Sequence, residues 1–176
     1  MIGCDIDGTL LDYNYIPGQM PNVNLELIRE LRRFDVDEIV LISNQGGLPF
    51  GFQDFERKDG RRYPRPEDFV NRLIFLTGAL SLWGIRIVAL HACTYHPRAA
   101  GDYSWRAASA VDEMLDRAAP QMIKFIHHEA TYRKPAPRMI VEAFVDQYYG
   151  DSDEDEQAAE DAGIKFLRVE RFGGTS

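Results

Sequence analysis

Two carboxylates, Asp5 and Asp7, stand two residues apart at the end of a short apolar run, with Gly8 and Thr9 directly behind them. Alternate side chains of a strand share a face, and a glycine at this point marks the turn that ends the strand. The pair is therefore expected at the carboxyl end of a buried strand, where open α/β sheets place their chemistry. Other polar residues fall at similar points. Ser43 and Asn44 follow the β-branched run 38–42, Asp151 and Asp155 follow the run 145–149, and Lys134 lies between Arg133 and Pro135 just before a helix. If those strands lie side by side, one crevice gathers several acids, a hydroxyl and an ammonium. Acids so close repel one another unless a cation joins them, and oxygen-only ligands suit a hard ion such as Mg²⁺. The hydroxyl and backbone N–H groups at Ser43-Asn44, with Lys134, can hold the oxygens of a phosphoryl group. Metal and ammonium would then neutralise charge during phosphoryl transfer. The plain alternative is an acidic loop after a strand; acids that interrupt an apolar run with Gly-Thr behind them favour chemistry.

Positioning these groups requires strands alternating with helices. Residues 13–23, with Pro17, Gly18 and Pro21, read as a loop. Asn24 is placed to cap a helix running to Phe34, with Leu25, Ile28 and Leu31 on one face. Residues 38–42 form a second strand, and 48–66 read as a long loop rich in Gly, Pro and Arg. Phe69, Leu73, Leu76, Leu80 and Trp83 recur at helical spacing until Gly84 stops the helix. Residues 85–90 form a third strand. Beyond it the pattern predicts a helix over 104–118, with Trp105, Ala108, Leu115 and Ala118 on one side and Pro120 ending it. A short strand over 122–126 follows, then a helix opened by Pro137 in the favoured first-turn position, a strand at 145–149, a helix at 154–162 and a last strand at 165–169. The alternation predicts a doubly wound, mostly parallel, Rossmann-like α/β sheet with helices on both faces. One domain over 1–176, with an insertion at about 91–132, is expected.

Size and charge narrow the field. The chain has 176 residues, 45% of them hydrophobic and 27% charged, enough for one domain that buries roughly two-thirds of its unfolded surface. No apolar segment approaches the roughly 20 residues of a membrane span. The first residues enter a strand at once, and the two cysteines make no disulfide framework; a cytoplasmic protein with no membrane partner is expected. The net charge of −8 gives a whole-molecule field that does not draw in nucleic acid or anionic membrane.

Four segments, DIDGT, LISNQ, YRKPAP and GDSDED, resemble in order the four motifs of the haloacid dehalogenase superfamily, and they span Asp5 to Asp155. The resemblance implies that Asp5 is a nucleophile forming an aspartyl-phosphate, and that Asp7 is the acid for the leaving group and then the base for water. It implies that Ser43 and Lys134 bind phosphate. Mg²⁺ would be held by Asp5, Asp151 and the backbone carbonyl of Asp7, with Asp155 supporting the metal shell. An acid at position 7 resembles the superfamily's phosphatases more than its dehalogenases, and an alkoxide leaving group does need a proton. The SNQ and RKP signatures resemble the branch containing histidinol-phosphate phosphatase, heptose-bisphosphate phosphatase and the 3'-phosphatase of polynucleotide kinase.

The chain departs from that branch. Only 35 residues, positions 8 to 42, separate Asp7 from Ser43, too few for a folded cap domain. The zinc loop of the metabolite enzymes is matched only by Cys93 and His96. With His91, His127 and His128 these could make a tetrahedral zinc site, the alternative being ordinary polar residues. The stretch between Lys134 and Asp151 is also short.

Arg133, beside Lys134, is expected to reach substrate. Arg57, Lys58, Arg61, Arg62 and Arg65 are either a solvated charge run or a substrate-binding loop. The expected substrate is a nucleic-acid or nucleotide 3'-phosphate, with a sugar phosphate or histidinol phosphate as the alternative. Two further alternatives are a phosphotransferase, disfavoured because no cap excludes water, and a non-catalytic phosphate-binding module, disfavoured by the intact Asp5/Asp7 pair.

Overall fold

The computed structural model describes residues 1–13, 16, 19–99, 101–118 and 123–173. Its strands are β1 Ile2–Cys4, β2 Glu38–Asn44, β3 Arg86–Cys93, β4 Lys124–His128, β5 Gln147–Gly150 and β6 Lys165–Arg168. Its α-helices are α1 Leu25–Arg33, α2 Leu48–Phe52, α3 Pro66–Ser81, α4 Gly101–Ala118, α5 Arg138–Glu142 and α6 Asp153–Asp161. The strands form one six-stranded sheet in the order β4-β3-β2-β1-β5-β6, and every neighbouring pair is parallel. This is the doubly wound α/β sheet that the alternation predicts. Among the described residues no helix is long and apolar enough to cross a membrane.

The two faces of the sheet are covered by different helices because strand parity divides the apolar residues. Ile39 and Leu41 of β2 join a core with Ile28 and Leu31 of α1, Phe69, Leu73 and Leu76 of α3, and Val111 of α4. Val40 and Ile42 join the opposite core with Met139 and Ile140 of α5 and Ala158 of α6. A strand buried on both faces reads as an unbroken apolar run, and residues 39–43 of β2 are all buried. The register of β3 shifts between Ile39 and Val40, which brings both Ile87 and Leu90 to the first core despite their odd spacing.

Several sequence expectations shift. Leu25 is 45% exposed, and Leu27 takes its place on the buried face of α1; Asn24 caps this helix as expected, accepting from Leu27 N at 3.2 Å. The supposed loop 48–66 contains α2 and an isolated bridge between Glu56 and Arg62. Trp83 lies beyond the end of α3 and is half-exposed. Strand β3 runs on through Cys93, so His91 and Cys93 belong to the sheet. In α4 the buried stripe is Ser104, Ala107, Ala108, Val111 and Leu115, whereas Trp105 is exposed. The fourth strand begins at Lys124; Pro120 and Met122, like Pro17 and Gly18, lie outside the described residues. Strand β5 starts at Gln147 rather than residue 145.

Strand β1 sits at the reversal point, flanked by β2 on one side and β5 on the other. Winding outward in both directions from a central strand opens a crevice beyond the carboxyl ends, at the point where the order reverses. The connection from β4 to β5 must return from the sheet's outer edge to its centre. That return carries Lys134 to the ends of β1 and β2.

Candidate active site

Asp5 follows β1 directly, and its N–H donates to Tyr149 O at 2.9 Å, prolonging the β1–β5 ladder by one residue. Its side chain is buried. The chain then turns through Gly8 at φ 87°, a conformation that L side chains rarely adopt. A Cβ there would also lie 2.6 Å from Asp151 Oδ2, so only glycine lets the turn and Asp151 approach so closely. At the end of β5, Ser152 caps α6 through a reciprocal capping box with Asp155. Ser152 Oγ and N donate to Asp155 Oδ2 at 2.5 and 3.2 Å, and Asp155 N donates to Ser152 Oγ at 3.2 Å. The cap that starts the helix therefore also aims Asp155 inward.

Lys134 is the hub. Its Nζ lies 2.8 Å from Asp5 Oδ1, 2.5 Å from Asp155 Oδ1, 2.8 Å from Tyr148 Oη and 3.2 Å from Ile42 O, four acceptors shared among three N–H groups. The loop bearing it is braced by Asn44, whose Nδ2 donates to Lys134 O at 3.1 Å and whose Oδ1 accepts from Lys134 N at 3.0 Å. The Lys134–Pro135 peptide is cis. Burial alone would lower the lysine, but Asp5 and Asp155 outweigh it and hold the ammonium above the ordinary lysine range. Burial pushes the Asp5 carboxyl up to about 7, opposed by Lys134 and reinforced by Asp155 and Asp7. Burial and then Asp155 and Asp5 raise Tyr148 well above the usual phenol value, so its hydroxyl stays a neutral partner of the ammonium.

Carboxylate oxygens of Asp5, Asp151 and Asp155 lie within 4.8 Å of one another, the only such group of potential ligands among the described residues. Three buried carboxylates with one ammonium between them fit a hard divalent cation: all donors are oxygens, and the cation would offset their mutual repulsion. Asp151 also accepts from Thr9 Oγ1 at 3.5 Å and from Arg171 Nε at 2.5 Å, and the Arg171 guanidinium lies over the Tyr13 ring at 4.6 Å.

The Asp7 carboxylate turns elsewhere: Arg72 donates to Oδ1 at 2.6 Å and Gln45 Nε2 to Oδ2 at 2.8 Å. The same Gln45 amide donates to Ser43 Oγ at 2.9 Å. Asp5, Asp7, Ser43, Asn44, Arg133, Lys134, Asp151 and Asp155 all line one cavity of about 340 Å³. The structure thus brings all eight predicted site residues together. A separate cavity of about 460 Å³, walled in part by Met20, Phe75 and Arg72, includes none of the four aspartates.

The five zinc candidates do not converge. In β4, His127 and His128 point to opposite faces, as neighbours in a strand must. His91 Nδ1 meets His128 Nε2 at 2.9 Å, His127 Nε2 meets Thr94 Oγ1 at 2.8 Å, Cys93 Sγ donates to Glu129 O, and His96 packs edge-on against Phe50.

Sequence reasoning missed Gln45, Arg72, Tyr148 and Arg171. Gln45 was within reach, being part of the LISNQ segment. Arg72 carried a fainter signal, a lone charge three residues after Phe69 and four before Leu76 on the apolar face of α3. Nothing in the sequence singled out Tyr148 or Arg171.

No protein-family model matches the chain, and no curated protein matches it in sequence. Among solved structures, it is similar to a D,D-heptose 1,7-bisphosphate phosphatase from B. bronchiseptica, complexed with magnesium and phosphate. The TM-score is 0.61 at 22% sequence identity, over 98% of this chain and 82% of the other. The likeness extends along nearly the whole chain, and what it shows is a shared fold.

Proposed function

We propose that the protein is a Mg²⁺-dependent phosphomonoester hydrolase acting through an aspartyl-phosphate on Asp5. The observation that carries this reading is the Lys134 ammonium bound to Asp5 and Asp155, with Asp151 in ligand reach, at the carboxyl ends of central strands. The bound magnesium and phosphate of the heptose-bisphosphate phosphatase, a protein of like fold, support it. Asp5 and Asp151 would hold the ion with Asp155 in support, and the ion would supply positive charge to the phosphoryl oxygens.

The chain's own groups account for the remaining steps. Ser43 and Lys134 orient the phosphoryl group. An Asp5 oxygen attacks phosphorus as the ester P–O bond breaks, and Asp7 delivers a proton to the departing oxygen. Water then attacks the phosphorus of the aspartyl-phosphate and gives its proton to Asp7. The bond between phosphorus and Asp5 breaks, inorganic phosphate leaves, and both aspartates are restored.

A small phosphorylated metabolite, such as a sugar phosphate, suits the site better than the nucleic-acid 3'-end expected from the sequence. The basic loop that would hold a polynucleotide is partly neutralised from within. Arg57 and Arg61 both pair with Asp59, and Arg65 pairs with Asp54. The cavity of about 340 Å³ lies in the range of small-molecule pockets.

The test is phosphate release from an aryl phosphate, a set of sugar phosphates and a 3'-phosphorylated oligonucleotide, with and without Mg²⁺. Asp5→Asn, which cannot form the intermediate, is expected to stay folded and to lose turnover completely. Equal activity of this variant and wild type would defeat the mechanism. Preference for the oligonucleotide at every salt concentration would restore the polymer reading.

A further inference from the structure

We infer that Arg72 is a positioning residue for Asp7, a role that rests on the reading of Asp7 as the proton donor and acceptor. Helix α3 covers one face of the sheet with Phe69, Leu73, Leu76 and Leu80, all buried, and Arg72 is buried among them at 5% exposure. An apolar residue would cover that face at lower desolvation cost, because a buried guanidinium must be paired. The pairing is specific: Arg72 Nη2 lies 2.6 Å from Asp7 Oδ1, while Gln45 Nε2 lies 2.8 Å from Oδ2.

The torsion that turns a carboxylate about its last bond is broad and roughly two-fold. One donor would leave it free to swing, whereas two donors from different elements fix its plane. Each donor is itself anchored. Arg72 rides on a helix of 16 residues, and Gln45 donates its backbone N–H to Cys93 O at 2.8 Å. The second hydrogen of the Gln45 amide goes to Ser43 Oγ, so the phosphate-binding hydroxyl and the Asp7 plane share one support. Each Asp7 oxygen keeps a second lone pair, which leaves room for the proton it transfers. Arg72 does not line the site cavity itself and reaches it through Asp7. Its loss should therefore impair protonation of the leaving group far more than substrate binding.

The experiment compares kcat/KM for aryl and alkyl phosphates, a quantity that reports events through cleavage of the ester bond. In wild type the dependence on the leaving group is expected to be shallow. In Arg72→Met, which keeps an apolar stem on α3, alkyl phosphates are expected to lose about 100-fold, the scale of a misplaced catalytic group. Aryl phosphates, whose leaving group departs without a proton, are expected to lose less than about 3-fold on the same reasoning. Arg72→Lys, or free guanidinium added to Arg72→Met, should recover part of the alkyl activity; Arg72→Lys alone decides the matter if Arg72→Met does not fold. An unchanged leaving-group slope, or a uniform loss on every ester, overturns the positioning role while leaving the phosphatase reading intact. Wild-type protein inactive on all esters overturns the phosphatase reading, and the role of Arg72 with it.

Discussion

Replacing Lys134 with methionine tests the hub of the site through stability, without reference to turnover. The methionine stem fills much of the lysine's space, so the main loss is charge. Nζ lies 2.8 Å from Asp5 and 2.5 Å from Asp155. At an effective dielectric of about 20, each contact has a gross attraction of about 6 kcal/mol, most of which offsets the desolvation of three buried charges. Removing one partner of a buried pair leaves the other charges uncompensated and costs about 3–5 kcal/mol. Domains of this size are stable by about 5–15 kcal/mol, so Lys134→Met should remain folded but markedly weakened. Urea denaturation followed by circular dichroism, in chelator, measures the loss. Adding Asp155→Asn to Lys134→Met should return about 1–3 kcal/mol, because the pair is coupled. A loss below about 1 kcal/mol, or strict additivity of the two substitutions, would refute the hub as described.

Mg²⁺ at 100 times its dissociation constant should stabilise wild type by about 2.7 kcal/mol through mass action. Thermal unfolding with and without the ion should show this, and Asp151→Asn should abolish it; an equal shift in both proteins would exclude Asp151 as a ligand. The histidines of the sheet predict acid lability. Burial pushes His91 and His127 down to about 4, with His128 adding to the effect in each case. The unfolded chain takes up their protons near pH 6.5 while the folded chain does not, so stability is complete above that pH and falls as pH drops toward about 4. The loss should be about 2–3 kcal/mol for the two after solvent screening. His91→Gln should flatten this slope in denaturant titrations at pH 7 and pH 5, and an unchanged slope would remove His91 as a cause.

The central sheet was legible because parallel strands buried on both faces spell themselves out as apolar runs, as residues 39–43 do. The acids at strand ends were legible for the opposite reason, since Asp5 and Asp7 interrupt such a run where nothing in packing calls for a charge. Tertiary choices within an amphipathic pattern were less readable. Leu25 and Leu27 both fit the stripe of α1, and only the approach angle of the helix decides between them. Trp105 fits the stripe of α4 by hydrophobicity, yet the small Ala107 and Ala108 are buried and the indole stays outside. The extent of β3 was hidden because His91 and Cys93 look like loop chemistry until the pairing of Cys93 with His128 across the sheet is seen. Arg72 and Tyr148 entered the site from elements read only as packing, one on a helix face and one inside a strand. A sequence period reports which face a residue occupies, but not which polar group waits there.

The return of the chain from the sheet's edge to its centre bears on how the protein folds. The Lys134–Asp5 contact closes a separation of 129 residues, and β1 must receive β5 as well as β2 before Asp5 has walls on both sides. Contacts of such long range are costly in loop entropy and form late. A chain that has paired only β1, β2 and β3 holds Asp5 without Lys134, open to water on the side where β5 belongs. Burial of Asp5 and completion of the charge network thus occur in the same docking event. The site and the central sheet are then one cooperative unit, in which the Asp5–Lys134 contact forms late.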